Sequence, residues 1–208
     1  MKIIAISDTH GQHKDLQLPE GDILLHAGDV SKRGSRTEIM DFLYWFSDQP
    51  HKHKVFIAGN HDFYFEKTGK ELINSDIPKN VVYLNDSGME VEGVKIWGSP
   101  IQPWFYDWAF NRQRGADIKK HWDLIPSDTD ILITHGPAYG ILDLTMDGKA
   151  VGCEDLLEKI KDIKPKYHIC GHIHEAYGQE RVGDTHYINA SVLNLNYKLV
   201  NKPILIEL

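Results

Sequence analysis

The sequence has 208 residues, of which 41 % are hydrophobic and 25 % charged, and a formal net charge of −7. That length suits one domain spanning residues 1–208, large enough to bury about 70 % of its unfolded surface without disulfide staples. No apolar run approaches the roughly 18 residues of a membrane span, and the acidic balance argues against an extended nucleic-acid duplex as partner while leaving room for a small nucleotide.

The first run, "KIIAIS" (2–7), reads as a buried strand and ends in "SDTHG". It turns polar too early for a secretory signal, so a cytoplasmic location is expected. "DILLHAG" (22–28) is a second strand, followed by "GDV". Helical periodicity marks "RTEIMDFLYWFSD" (36–48), with Thr37 placed to cap it. "KVFIAG" (54–59) leads straight into Asn60, His61 and Asp62. Residues 81–98 alternate like a hairpin around "DSG" and "EGV". "QPWFYDWAFNR" (102–112) is dense in aromatics, and either packs as a connection or forms a lip that stacks a nucleobase. "DILITHG" (130–136) and "YHICGH" (167–172) are further strands. Between them "CEDLLEKIKDI" (153–163) carries Leu156, Leu157, Ile160 and Ile163 on one helical face. A hairpin with Gly183–Asp184 at its turn and a last strand, "PILIEL", close the chain. Strands alternating with helices imply parallel βαβ units, here mixed with antiparallel hairpins.

Open α/β sheets bind ligands beyond the carboxyl ends of their strands. Five strand ends carry Asp8, His10, Asp29, Asn60, His61, His135, His172 and His174. Asp8/His10 and His172/His174 are spaced i, i+2, which in extended chain puts each pair on one face to converge on one point. Nitrogen and oxygen donors without thiolates suit divalent Mn, Fe, Zn, Ni or Co. The set exceeds the needs of one tetrahedral ion, and two ions sharing a carboxylate use it more completely. Asp62 reads equally as a loop-orienting or a solvated turn residue. His26 lies in an apolar run and reads as a core or supporting residue. His13 is placed to approach the site from its loop, and His51, His53 and His121 are expected at the surface. Cys153 and Cys170 read as free thiols, with Cys170 buried.

The ordered blocks D-x-H, G-D, G-N-H-D, a lone strand-end His and G-H-x-H resemble the calcineurin-like metallophosphoesterases. "LLHAGDV", "GSPIQPWFYDWAFNRQRG", "VGCEDLL", "GHIHEAYG" and "YINAS" are closer still to its metallophosphoesterase-domain-containing branch. The resemblance implies a four-layer α/β/β/α sandwich, two mixed sheets flanked by helices. It implies that Asp8, His10 and His174 hold a first ion, that Asn60, His135 and His172 hold a second, and that Asp29 bridges them. Two divalent transition-metal ions, manganese first among the candidates, would be the cofactors. His61 would be the catalytic or phosphate-orienting histidine. Hydroxide shared by the ions would attack phosphorus in a small phosphodiester, nucleotide-type and cyclic nucleotides included. Trp104, Gln102, Asn111 and Arg112 are the candidate substrate contacts, and Asn189 and Ser191 the candidate pocket wall. The alternatives are a nuclease or phosphoprotein phosphatase with the same site, or a non-catalytic scaffold. One position departs from the phosphatase pattern G-D-x-x-D-R-G: "GDVSKRG" places Lys32 where the second Asp would partner the histidine.

Overall fold

The parity of the strand residues decides the layers. In the computed structural model, which describes residues 1–208, the strands in chain order are β1 (Lys2–Ile6), β2 (Ile23–His26), β3 (His53–Phe56), β4 (Val82–Tyr83), β5 (Ser87–Val91), β6 (Val94–Ser99), β7 (Gln102–Pro103), β8 (Asn111–Arg112), β9 (Ile131–Thr134), β10 (Tyr167–Cys170), β11 (Gly178–Val182), β12 (Thr185–Asn189) and β13 (Ile204–Glu207). One sheet has the order β13–β1–β2–β3–β4 and the other β11–β12–β10–β9–β6–β5, while β7 and β8 pair with each other. The interior pairs are parallel, and β13, β5 and β11 run antiparallel at the edges.

Successive strand side chains point to opposite faces. Ile3, Ala5, Leu25 and Val55 of the first sheet therefore meet Ile96, Ile131, Ile133, Ile169 and Ile188 of the second in one buried layer. The other face of the first sheet, with Ile4, Ile6, Leu24 and Phe56, is covered by α1 (Arg36–Ser47) through Ile39, Phe42, Leu43 and Phe46. After α1 come α2 (Phe63–Lys67), α3 (Lys70–Asp76), α4 (Ala116–Trp122) and α5 (Glu154–Ile163). Ile118 and Trp122 of α4, with Leu156, Ile160 and Ile163 of α5, pack in the apolar cluster that holds Leu132 and Tyr187 of the second sheet. The layers are thus helix, sheet, sheet, helix, as expected. Each fully buried Ile, Leu or Phe contributes about 1.5–3 kcal/mol through the water it sheds.

Three local expectations are corrected. Ser35, not Thr37, caps α1: its hydroxyl accepts from the Glu38 amide while the Glu38 carboxylate accepts from the Ser35 amide. The 81–98 segment is not one hairpin. β4 pairs with β3 in the first sheet, and only β5 and β6 form the hairpin, in the second, so the chain crosses between sheets here. The strands also stop short of their polar residues. β1 ends at Ile6 and β10 at Cys170, which leaves Asp8, His10, Asp29, Asn60, His61, His135, His172 and His174 beyond the strands.

The two sheets converge where those loops leave. Ser7 bridges to Ser191 in parallel, joining the end of β1 to the end of β12, and the Val192 amide donates to the Ser7 carbonyl at 3.0 Å.

Candidate metal centre

The loops past β1, β2, β3, β9 and β10 bring seven side chains together at that junction. Asp8, His10 and His174 present ligand atoms within 4.8 Å of one another, and so do Asp29, His135 and His172. His174 Nε2 lies 3.4 Å from Asp8 Oδ1, and His10 Nε2 lies 3.4 Å from His174 Nε2. Asn60 Oδ1 lies 2.9 Å from His135 Nε2. A single oxygen of Asp29, Oδ2, is 3.6 Å from His10 Nε2 and 3.3 Å from His135 Nε2, so it faces both groups.

The pairs do not converge by strand pleating. Asp8, His10, Asp29 and His172 all have left-handed backbone, with φ of 56°, 41°, 56° and 68°. Such φ values are costly for residues with a Cβ and cluster where a site over-determines the chain. His174 stands in a 3₁₀ turn, His174–Ala176. As a result His172 and His174 do not share a point, as extended chain would have made them, but turn into separate groups. Close approach needs glycine: a Cβ on Gly171 would collide with Asp8 Oδ2 and Ser7 Oγ.

Backbone carbonyls orient the imidazoles. Nδ1–H of His10 donates to Ser31 O at 3.2 Å, that of His135 to Ala27 O at 2.9 Å, and that of His174 to Asn194 O at 3.1 Å. Each bond fixes the tautomer and turns an Nε2 lone pair inward, the usual support of a metal-ligating histidine. Asp8 accepts from the His172 amide and from Ser191 Oγ at 2.7 Å. This donor set of imidazole, carboxylate and amide oxygen fits divalent transition ions. Burial opposes the charge of Asp8 and of Asp29. The facing histidines outweigh it, His174 first for Asp8 and His135 first for Asp29, and hold both carboxylates below the usual range. Burial likewise opposes charging His135 and His174, yet the Asp29 and Asp8 carboxylates beside them push both up to about 9. Burial dominates at His172, which falls to about 3.

The family model described as calcineurin-like phosphoesterase matches residues 1–176, which contain all of these residues. The chain belongs to the calcineurin-like phosphoesterase family. Within it, the chain is 40 % identical to the human protein named Metallophosphoesterase domain-containing protein 1, over all of this chain and 71 % of that one. It is 37 % identical to UPF0046 protein K07C11.7 of Caenorhabditis elegans, over 98 % of this chain and 74 % of that one. Among solved structures, the phosphopantetheinyl hydrolase of Mycobacterium tuberculosis superposes with a TM-score of 0.61 at 14 % identity, covering 94 % and 90 % of the two chains, a likeness of fold.

In this family member, His61 stands at the edge of the cluster, 14 % exposed, with Nε2 3.9 Å from Asp29 Oδ2. Its Nδ1–H donates to the main-chain carbonyl of Lys32 at 2.7 Å, and its ring stacks on Trp108 at 4.3 Å. The backbone at position 32 therefore supplies the partner that the missing carboxylate would have been, while the Lys32 side chain lines a recess shared with His10 and His61. Asp62 is fully buried and accepts from the amides of Val30, Ser31 and Gly59 and from Ser31 Oγ, which settles it as the loop-orienting residue. Burial, joined by the charge of Asp29, pushes its pKa up to about 6.

The substrate candidates divide. Trp104 is 52 % exposed and, with Gln102, lines a cavity of about 340 Å³ that reaches His172. Asn111 is spent internally: it accepts from Gln102 Nε2 and donates to the carbonyls of Phe105 and Tyr106. Arg112 faces away, into a separate cavity of about 720 Å³ with Glu66 and His121. Ser191 and Asn189 are no pocket wall. Ser191 holds Asp8, and Asn189 Nδ2 donates to the carbonyls of Gly171 and Ile173. His26 is buried and satisfied, bonded to Thr9 Oγ1 and accepting from the Gly28 amide. His13 packs against Phe42 and Trp45, away from the centre. His51 is buried on Pro19 O, and His121 is held by Asp86 at 2.7 Å, so neither is a surface residue. Both cysteines are buried and free. Sequence reasoning missed Trp108, Phe105 and Tyr197, which pack on His61, His172 and His10 respectively. Trp108 and Phe105 were visible only as members of an aromatic run, and Tyr197 carried no signal.

Proposed function

We propose that the chain is a metal-dependent phosphodiesterase for small diesters, nucleotide-type and cyclic nucleotides among them, with Asp8, His10 and His174 holding one ion, Asn60, His135 and His172 a second, and Asp29 shared. The observation that carries this reading is Asp29 Oδ2, which faces a histidine of each group at 3.6 and 3.3 Å. Two divalent ions, manganese in this proposal, would supply Lewis acidity toward the phosphoryl oxygens and an activated water. The residues do the rest. His10, His135 and His174 are kept in the tautomer that offers Nε2 by their carbonyl partners. Asp8 is locked by Ser191 and the His172 amide. His61 is fixed in plane by Trp108 and Lys32 O, leaving Nε2 to give a proton to the departing oxygen. The exposed Trp104 is placed to stack a nucleobase. Two buried free thiols accord with a cytoplasmic setting.

The test is steady-state hydrolysis by the manganese-loaded protein, with a chelator control. A diester should show a higher kcat/KM than its matching monoester, and chelation should abolish both. A preference for the monoester, or activity indifferent to chelation, contradicts the reading.

A further inference from the structure

The ligand cluster has two ends, and they differ in chemistry. On one side of Asp29 stand His135 and His172, on the other His10 and His61. The His172 end opens on the cavity of about 340 Å³, walled by Trp104, Phe105, Pro137, Val151 and Ile173. Arg114 also reaches it, but its guanidinium is spent on the carbonyls of Val151 and Gly152. The His10/His61 end opens on a recess of about 510 Å³ lined by Gln12, Lys32 and Tyr197. Lys32 supplies its one fixed positive charge, and no carboxylate lines it. Tyr197 is 49 % exposed and set edge-on to both His10 and His174, at 5.0 and 5.3 Å, so an aromatic ring forms one wall of the recess.

A phosphodiester carries two ester arms. Resting on the phosphodiesterase reading above, we infer that this site takes linear, mixed diesters in a fixed orientation, with an apolar or planar arm in the His172 cavity and a polar, anionic arm beside Lys32. The orientation decides which bond breaks. His61, the proton donor, belongs to the Lys32 recess, so the leaving oxygen is the one that faces it. Water adds its oxygen to phosphorus and releases one proton to solvent, from which His61 regains the proton it gives up. The P–O bond to the anionic arm breaks, and that oxygen takes a proton from His61 and departs as an alcohol. The phosphate remains as a monoester of the apolar arm. Apolar walls hold an apolar arm by the water they shed, while Lys32 attracts the anionic one across a short distance. Lys32 is thus a specificity residue, at the position where the pattern G-D-x-x-D-R-G would have a carboxylate.

The experiment uses benzyl 2-carboxyethyl phosphate, whose two alcohols are comparable leaving groups, with the manganese-loaded full chain and products followed by phosphorus NMR. The expected products are benzyl phosphate and 3-hydroxypropanoate. Release of benzyl alcohol, or an even mixture of products, overturns the inference. Lys32→Met should raise KM for this diester roughly tenfold, the worth of one charge-assisted contact, and raise KM for benzyl methyl phosphate, which lacks the anionic arm, by much less. Equal effects on the two substrates also overturn it. Bis(4-nitrophenyl) phosphate, run alongside, separates the two levels: unselective cleavage with this ester turned over defeats only the orientation, whereas failure on this ester too defeats the phosphodiesterase reading itself.

Discussion

His61 is the residue whose role is most open to measurement, because it lies beside the ligand cluster without being needed to complete either group. His61→Ala should therefore retain metal content. Its loss should depend on the leaving group. A ribose alkoxide needs a proton and should suffer by ~10²–10⁴-fold, while a nitrophenolate leaves unaided and should suffer far less. Equal losses on a cyclic nucleotide and a nitrophenyl diester would reassign His61 to positioning the phosphate. Trp108, stacked on the ring at 4.3 Å, shares that orienting task with Lys32 O. Trp104 is tested separately. Trp104→Ala should raise KM for nucleotide diesters more than for a small chromogenic diester, and equal effects would return it to packing. At Gly171 the constraint is steric. A methyl group there meets Asp8 Oδ2 and Ser7 Oγ, so Gly171→Ala should weaken metal binding at the Asp8/His10/His174 group, measured by metal analysis after dialysis, while Asn60/His135/His172 keeps its ion.

Elements place these residues only because their loops are tied together, and Asp62 is the knot. One buried carboxylate accepts from the loop after β2, through Val30 and Ser31, and from the loop after β3, through Gly59. Asp62→Ala strands three amides and a hydroxyl, and should cost about 3 kcal/mol in denaturant unfolding, with loss of metal affinity. Ser35→Ala removes the cap of α1 and should cost only about 1 kcal/mol with activity intact, since Glu38 of α1 still accepts from the Lys32 amide beside the site. The same ties explain what could be read beforehand. Short, continuously apolar strands, and the polar groups at their ends, were legible because pattern and chemistry coincide there. Left-handed backbone at Asp8, His10, Asp29 and His172 was not legible, because non-glycine residues rarely adopt it without tertiary cause. That is why i, i+2 spacing suggested one meeting point for His172 and His174 where two exist. Helices α2, α3 and α4 span seven residues or fewer, too short for periodicity to register. His51 and His121 looked like surface residues because their partners, Pro19 O and Asp86, are distant in sequence.

At the scale of the whole molecule, the metal-free protein stores its site as charge pairs. His135 and His174 have folded pKa values raised to about 9. Their contribution is fully present below the ordinary histidine value near 6.5 and is lost as pH rises through about 9. His26, His168 and His172 are buried neutral, with pKa values near 3. Their contribution is present above about 6.5 and lost as pH falls toward 3, outnumbering Asp62, whose raised pKa works in the opposite direction. The Tm of the metal-free chain should therefore fall on both sides of near-neutral pH. Metal ions compete with the protons on His135 and His174, so the rise in Tm on adding manganese should be larger at pH 9 than at pH 6.5. A constant rise across that window would contradict the charge-pair account. The central claim is that Asp29 belongs to two ion sites at once. The most direct measurement is the metal content of the active protein, combined with anomalous scattering from a crystal, for wild type and Asp29→Asn. The account predicts two ions per chain, about 3.5–4 Å apart, and the loss of affinity for both in the variant. A fully active wild-type protein with one ion at these residues, or a variant that loses only one of two, would contradict it.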